Sequence, residues 1–444
     1  VEINRAAGTE PLAPGSVPVP LNWAVALDLN NDNAFGGVAD KLTFFAGLPA
    51  EMKVTFFGAF TRVAGKLNLK AFDVLEANAS FEMILQAVDV NYDGGSVDLK
   101  DAQLLLLNLT LYDPDGPGSA RALFVGVPGG GFGIDSGSLT LAMLKANAAP
   151  DKSPAGFDRS YTALIANVRG AKLAGIPSDI MIEAVRLDFA QNTSSGVHAG
   201  SPAALDWNTM VDLQADAATF GADPVTVAGR TITVAGPGLT IGGALKIDIK
   251  GNVLVAGEFQ YEQLSGLNGS DGAITLTNAK AQRISVSNVQ LFVGVNGGFI
   301  TDTDGNVTGL DTANATGFSV SGASLDLIIV NETFGALRSW MGISAHVNSM
   351  AVHGLPTAFE LEILNLDLLY NAPATGGTKL NWQALAALSG NPFRITATTG
   401  TDLADITSST NISISGQLYI NVSGFVMALA DFSIDQQSGI AVDH

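Results

Sequence analysis

Three short acidic stretches carry the side chains best suited to chemistry. Asp28-x-Asn30-x-Asp32, Asp89-x-Asn91-x-Asp93-Gly94 and Asp302-x-Asp304-Gly305-Asn306 place oxygen-bearing side chains at alternate positions. That spacing lets a turn wrap carboxylate and amide oxygens round a hard cation, which makes Ca²⁺ the candidate cofactor. The stretch from Asp89 is the best of the three, because Gly94 follows where a sharp turn needs it. None completes an EF-hand loop: counting from Asp89, Lys100 stands where that loop places a bidentate Glu. Asp/Asn/Gly loops are also ordinary hairpin ends, so a bare turn is the competing reading.

Other constellations are weaker. Gly129-Gly130-Gly131 is followed by neither Lys-Ser/Thr nor a helical pattern, so a strand bulge or close backbone approach is expected rather than a phosphate cradle. His198, His346, His353 and His444 lack metal-ligand spacing and a partnering nucleophile, and no Gly-x-Ser-x-Gly elbow is present. Trp23, Trp207 and Trp382 are read as buried packing residues rather than sugar-stacking platforms. No catalytic residue is assigned, and the expectation is a non-enzymatic protein.

The elements that would position these loops are mostly strands. Leu245–Ile249 alternates apolar and polar residues, Lys250-Gly251-Asn252 turns, and Val253–Tyr261 alternates again. Asp73, Gly251 and Gly424 occupy the turn in three aligned blocks, and these residue types tolerate the positive φ of a tight hairpin. A hairpin makes the pair antiparallel. Further strands are predicted within Ser96–Tyr112, Ile274–Val295, Phe318–Val330, Met341–Val352 and Phe359–Tyr370. Helix is confined to a turn or two at Gln383–Leu388 and a second candidate at Leu139–Ala148. The expected fold is all-β: tandem repeats of long antiparallel strands, a meander rolled or sandwiched on an apolar face, forming an elongated array.

Internal repetition organises the chain. Leu21-Asn22-Trp23 recurs as Leu205-Asp206-Trp207 and Leu380-Asn381-Trp382, at steps of about 180 residues. Leu67–Phe81, Leu245–Phe259 and Leu418–Phe432 align without a gap, each after a glycine at one offset: Gly65, Gly243 and Gly416. Leu123–Val127 and Leu291–Val295 both read Leu-Phe-Val-Gly-Val, and Phe132 aligns with Phe299. Arg159-Ser160 returns as Arg338-Ser339. Four segments follow: residues 1–20 as the end of a preceding repeat and a Pro-rich linker, 21–204 as unit 1, 205–379 as unit 2, and 380–444 as a partial unit 3. Consecutive units are expected to bury apolar faces against each other, with edge strands free to pair between chains.

Composition bounds the partners. Forty-two acidic against 22 basic residues give a net charge of −20, a field that repels nucleic acid and anionic lipid heads. The chain has no Cys, which excludes disulfides and thiolate metal sites. No apolar run approaches the length of a membrane-spanning helix.

Taken together, the Leu-Phe-Val-Gly-Val blocks, the Arg-Ser blocks and the Leu-Asn/Asp-Trp blocks resemble the tandem repeats of very large bacterial extracellular or surface proteins of the adhesin-like kind. The resemblance implies secretion to the bacterial cell surface and a role in a fibre, sheath or surface layer. Expected partners are other copies or neighbouring repeats, with a Ca²⁺-dependent adhesin for surface carbohydrate, and then a carrier of hydrophobic ligands, as alternatives.

Overall fold

In the computed structural model, the described residues are 2–6, 21, 23, 26, 28, 31–33, 60–71, 75–112, 122–127, 130–174, 179–214, 220–355, 359–374, 377–386 and 403–437. The segment expected to be a Pro-rich linker, Asp73 and Gly129 lie outside them.

Among the described residues strand predominates and helix is scarce. β1 (Glu2–Asn4), β2 (Phe60–Ala71), β3 (Leu75–Val90), β4 (Leu99–Leu111), β5 (Leu123–Val127), β6 (Gly130–Ile134), β7 (Ser136–Lys145), β8 (Ser160–Ala174) and β9 (Ile180–Ser195) come first. Three two-residue strands follow, β10 (Val211–Asp212), β11 (Thr226–Val227) and β12 (Arg230–Thr231). Then come β13 (Gly238–Ile249), β14 (Val253–Ser270), β15 (Thr275–Val295), β16 (Gly298–Thr301), β17 (Val307–Asp311), β18 (Thr316–Asn331), β19 (Ser339–His353) and β20 (Phe359–Ala372). A short helix α1 (Trp382–Ala386) and a 3₁₀ turn at Leu403–Asp405 precede β21 (Thr410–Val422) and β22 (Val426–Gln437).

Eighteen of these strands form one antiparallel sheet. Its backbone is a meander: β2–β3–β4–β7–β8–β9 continues directly as β13–β14–β15–β18–β19–β20 and then β21–β22. Hairpins explain the topology. Gly251 and Gly424 take φ of 67° and 70° at the predicted turns, a conformation that carries little penalty only without a Cβ. The Leu139–Ala148 helix expected from sequence is instead β7, whose Leu139, Leu141 and Met143 face one way and Ala142 and Leu144 the other.

Aligned residues occupy matching ladder positions. Gly65 lies opposite Phe81, Gly243 opposite Phe259 and Gly416 opposite Phe432. In each pair the ring covers the glycine so closely that a Cβ would come within 3.1, 3.0 and 3.0 Å of it. Leu67, Leu245 and Leu418 sit opposite Ala79, Gly257 and Ala430. Val125 of β5 pairs with Leu75, as Val293 of β15 pairs with Val253. One alignment needs correction. Phe132 pairs with Leu173 and Phe318 with Val352, so Phe318 is the counterpart of Phe132. Phe299 belongs to the β16–β17 hairpin, which stands between β15 and β18 and has its own two-stranded sheet. Gly-Phe recurs at both places, and the ladder decides between them.

The two sheet faces differ sharply. Along one register row lie Phe189, Ile241, Tyr261, Ile284, Leu327 and Ile343; the adjacent row reads Asp188, Gly242, Gln260, Ser285, Asp326 and Ser344. Period-two alternation therefore sorts apolar from polar across the meander. The polar face turns apolar at one end of the strands, where it is covered. Leu205, Trp207, Val211, Val225 and Ile232 pack there on Val88, Leu104, Leu144 and Tyr161. Leu380, Trp382, Leu385 and Leu403 cover Leu276, Ile328 and Trp340 in the same way. Each such side chain, fully buried, stabilises by about 2 kcal/mol. The 204/205 boundary thus separates Trp207 from the strands it is buried against. The β9–β13 and β20–β21 ladders join the strand blocks before and after them edge to edge; in place of the expected face-to-face burial, the apolar rows stay at least partly exposed among the described residues.

Candidate functional site

The acidic loops spend their oxygens on their own backbone. Asp28 accepts the amides of Asp32 (3.1 Å) and Asn33 (2.8 Å); Asn30 lies outside the described residues. Asp89 is buried and accepts the Asp101 amide at 2.9 Å, at the root of its loop. Asn91 Oδ1 accepts the Gly94 amide at 2.8 Å, and Asp93 the Gly95 amide at 2.7 Å. Asp98, which the sequence reading passed over, accepts the Tyr92 amide at 2.7 Å and closes the same loop.

Asp302 joins β16 to β17 and accepts from the backbone amides of Asp304 and Asn306 at 2.9 Å and from the Asn306 side chain at 3.0 Å. The Asn306 amide foremost, then the backbone amides of Asn306, Asp304 and Gly305, hold the Asp302 carboxyl below the usual carboxylate range. These are Asx-type turns with a hairpin-shaping role. Among the described residues no three His, Cys, Asp or Glu side chains are grouped as a metal would need.

The polar face offers a different constellation. A groove of about 640 Å³ crosses β8, β9, β13, β14, β15 and β18. Arg186 lies there between Asp188 (3.3 Å) and Glu258 (3.1 Å), and Arg283 between Glu262 (3.5 Å) and Asp326 (3.0 Å). The residues occur on neighbouring strands with one register, which is why no contiguous motif announced them. Each guanidinium group is shared by two carboxylates, so the groove presents a partly neutralised, still acidic floor.

Two histidines have partners that the sequence did not disclose. Ser319 Oγ and His353 Nε2 are 2.7 Å apart on neighbouring strands β18 and β19. His346 is buried, with Nδ1 2.5 Å from Asp367 and Nε2 2.8 Å from Asn348. A nucleophile and base within reach need an accessible reacting position and an oxyanion donor pair as well. Ser319 is itself buried in the sheet. The pair reads as a cross-strand hydrogen bond.

The most regular polar constellation involves the tryptophans. Trp207 Nε1 donates to Asn192 Oδ1 at 3.0 Å while Asn192 Nδ2 donates to the Leu205 carbonyl at 2.7 Å. Trp382, Asn371 and Leu380 repeat the arrangement at 3.1 and 2.9 Å; Trp23, Asn4 and Leu21 repeat it at 2.9 and 2.8 Å. In each case an Asn at the end of a strand (β1, β9 or β20) clamps the segment that follows. The Trp repeats were legible in sequence; the Asn partners were not, because their distance to the Trp varies.

Among the described residues no helix is long and apolar enough to cross a membrane. No protein-family model, no curated protein and no solved structure matches the chain.

Proposed function

We propose that this chain is a non-catalytic structural protein, built from tandem β units, of a bacterial extracellular fibre, sheath or surface layer. The observation that carries the reading is the threefold Asn–Trp clamp, set at matching strand ends in a sheet that runs from one block into the next without a break. Side chains invested in joining strand blocks support a scaffold. Among the described residues, the paired charges on the polar face and the hydrogen-bonded acidic loops support the same reading.

Edge pairing extends the idea. β22 is laddered on one side only among the described residues, and such an edge is a template for a strand from another chain. In the internal ladders the position beside β3 and β14 is filled by β4 and β15, which defines the register a partner strand would take. A hydrophobic-ligand carrier would need an enclosed apolar cavity, whereas the groove of about 640 Å³ is open and lies on the charged face. Electron microscopy of the purified chain, with and without EDTA, tests the proposal. Regular filaments or sheets are expected in both conditions; isolated particles at every protein concentration would overturn it.

A further inference from the structure

The uncovered apolar face calls for an occupant. Leu67, Leu85, Met143, Leu245, Ile284 and Val293 all lie on it and are each more than 40% exposed, although they sit in the middle of a hydrogen-bonded sheet. The apolar rows carry no charged side chain between Phe189 and Ile343 across six neighbouring strands. Six strands at ~4.8 Å spacing, each contributing ~10 residues at ~3.3 Å, present roughly 900–1,000 Å². A stable protein–protein interface needs about 800 Å² per partner, and a contiguous apolar patch above a few hundred Å² is rare on a monomer.

We infer that this face packs against the same face of a second copy of the chain, making a two-layered β-sandwich. The argument is independent of the fibre reading, which concerns strand edges. Charge placement favours a like partner: two chains of −20 can meet here because their acids and guanidinium groups lie on the opposite faces, turned outward. Sheets packed this way sit ~10 Å apart with their inner side chains interdigitated.

A bilayer is the poorer match. Of the four indoles, the side chains that mark membrane interfaces, three are buried: Trp340 in β19, and Trp207 and Trp382 in the segments that cover the strand ends. An anionic leaflet would also repel this acidic chain.

Sedimentation equilibrium tests the inference. At concentrations too low for edge-built filaments to grow, the chain should sediment as a discrete species of twice 45.7 kDa. Leu245→Lys/Ile284→Lys should weaken it at least ~100-fold, because two charges would be desolvated in an apolar interface. Gln260→Lys, on the polar face, should leave the dimer intact. A closed dimer is distinguishable from edge-built filaments, which grow without limit. Because the protein has no Cys, single probes need no background removal. Labelling of Ile284→Cys by a soluble maleimide should slow as protein concentration rises, while labelling of Gln260→Cys should not. This keeps the test decisive even if the double Lys variant fails to fold. A 45.7 kDa species throughout, equal labelling of both cysteines, or flotation of the chain with neutral phosphatidylcholine vesicles would each overturn the inference.

Discussion

Replacing Asn192 by Ala should open the Trp207 clamp while leaving the strands paired. The side chain is 3% exposed and makes two hydrogen bonds, one to the Trp207 indole and one to the Leu205 carbonyl. Neither group can turn to water, since Trp207 and Leu205 are fully buried. Each orphaned group costs about 1–3 kcal/mol. The three heavy atoms lost leave a small void worth about 1 kcal/mol more. The expected loss is therefore ~3–7 kcal/mol, confined to residues 205–234 and the strand ends they cover.

A chain of this size does not unfold in one step, so a local measurement is needed. Native-state hydrogen exchange read by mass spectrometry supplies it. Amides in β10 to β12 should exchange at least ~100-fold faster in the variant, at tenfold per 1.4 kcal/mol, while β18 and β19 keep their protection. Trp207→Phe should reproduce part of the effect, and the double variant should lose less than the sum of the singles. A change below fivefold in β10 to β12 would show that apolar burial alone holds the segment, and the clamp would lose its assigned role.

Other perturbations follow from the same geometry. Gly243→Ala should destabilise more than Gly65→Ala, by about 2 kcal/mol against about 1, because its Cβ would meet the Arg186 carbonyl at 2.4 Å while that of Gly65 meets only the Phe81 ring at 3.1 Å; equal thermal shifts would contradict this. His346→Ala should cost about 1–3 kcal/mol in local protection of β19 and β20, since it removes two part-buried hydrogen bonds. Unchanged exchange there would refute it. Asp302 should titrate below the ordinary 3.8 in a carboxyl-resolved NMR titration. Its folded-state value is lowered, so its stabilisation of the β16–β17 turn is complete above the unfolded value and fades as pH falls through the folded one. A value at or above 3.8 would remove the hydrogen bonds from the explanation.

Strand pairs were legible where one face is wet. Leu245–Ile249 and Val253–Tyr261 alternate cleanly, and their hairpin lies where the turn residues put it. β7 misled for the opposite reason. Its Leu139, Leu141 and Met143 belong to the apolar face, while Ala142 and Leu144 are sealed under the 205–234 segment, so both faces are apolar and the alternation fades. A Leu/Ala/Met run without alternation then scores as helix. The Phe132–Phe299 match failed because Gly-Phe occurs at both the inserted hairpin and the strand that follows it. The acidic loops were correctly placed at turns, but side-chain spacing cannot say whether an oxygen points outward to an ion or inward to an amide. The groove was invisible for a simpler reason: Arg186, Glu258, Arg283 and Asp326 meet only through register.

The covering segments lie downstream of the strands they seal, and this orders events in time. During synthesis β2 to β9 can be laid down in order, because each new strand docks on one made at most three strands earlier, and such near-neighbour pairing is fast. Residues 205–234 have not yet appeared at that stage. Val88, Leu104 and Leu144 must wait bare until the lid arrives, and meanwhile they invite misassociation with other nascent sheets. Slowing synthesis between residues 195 and 234 would prolong that exposure, so the protein's yield should depend on tempo there more than anywhere within the strands.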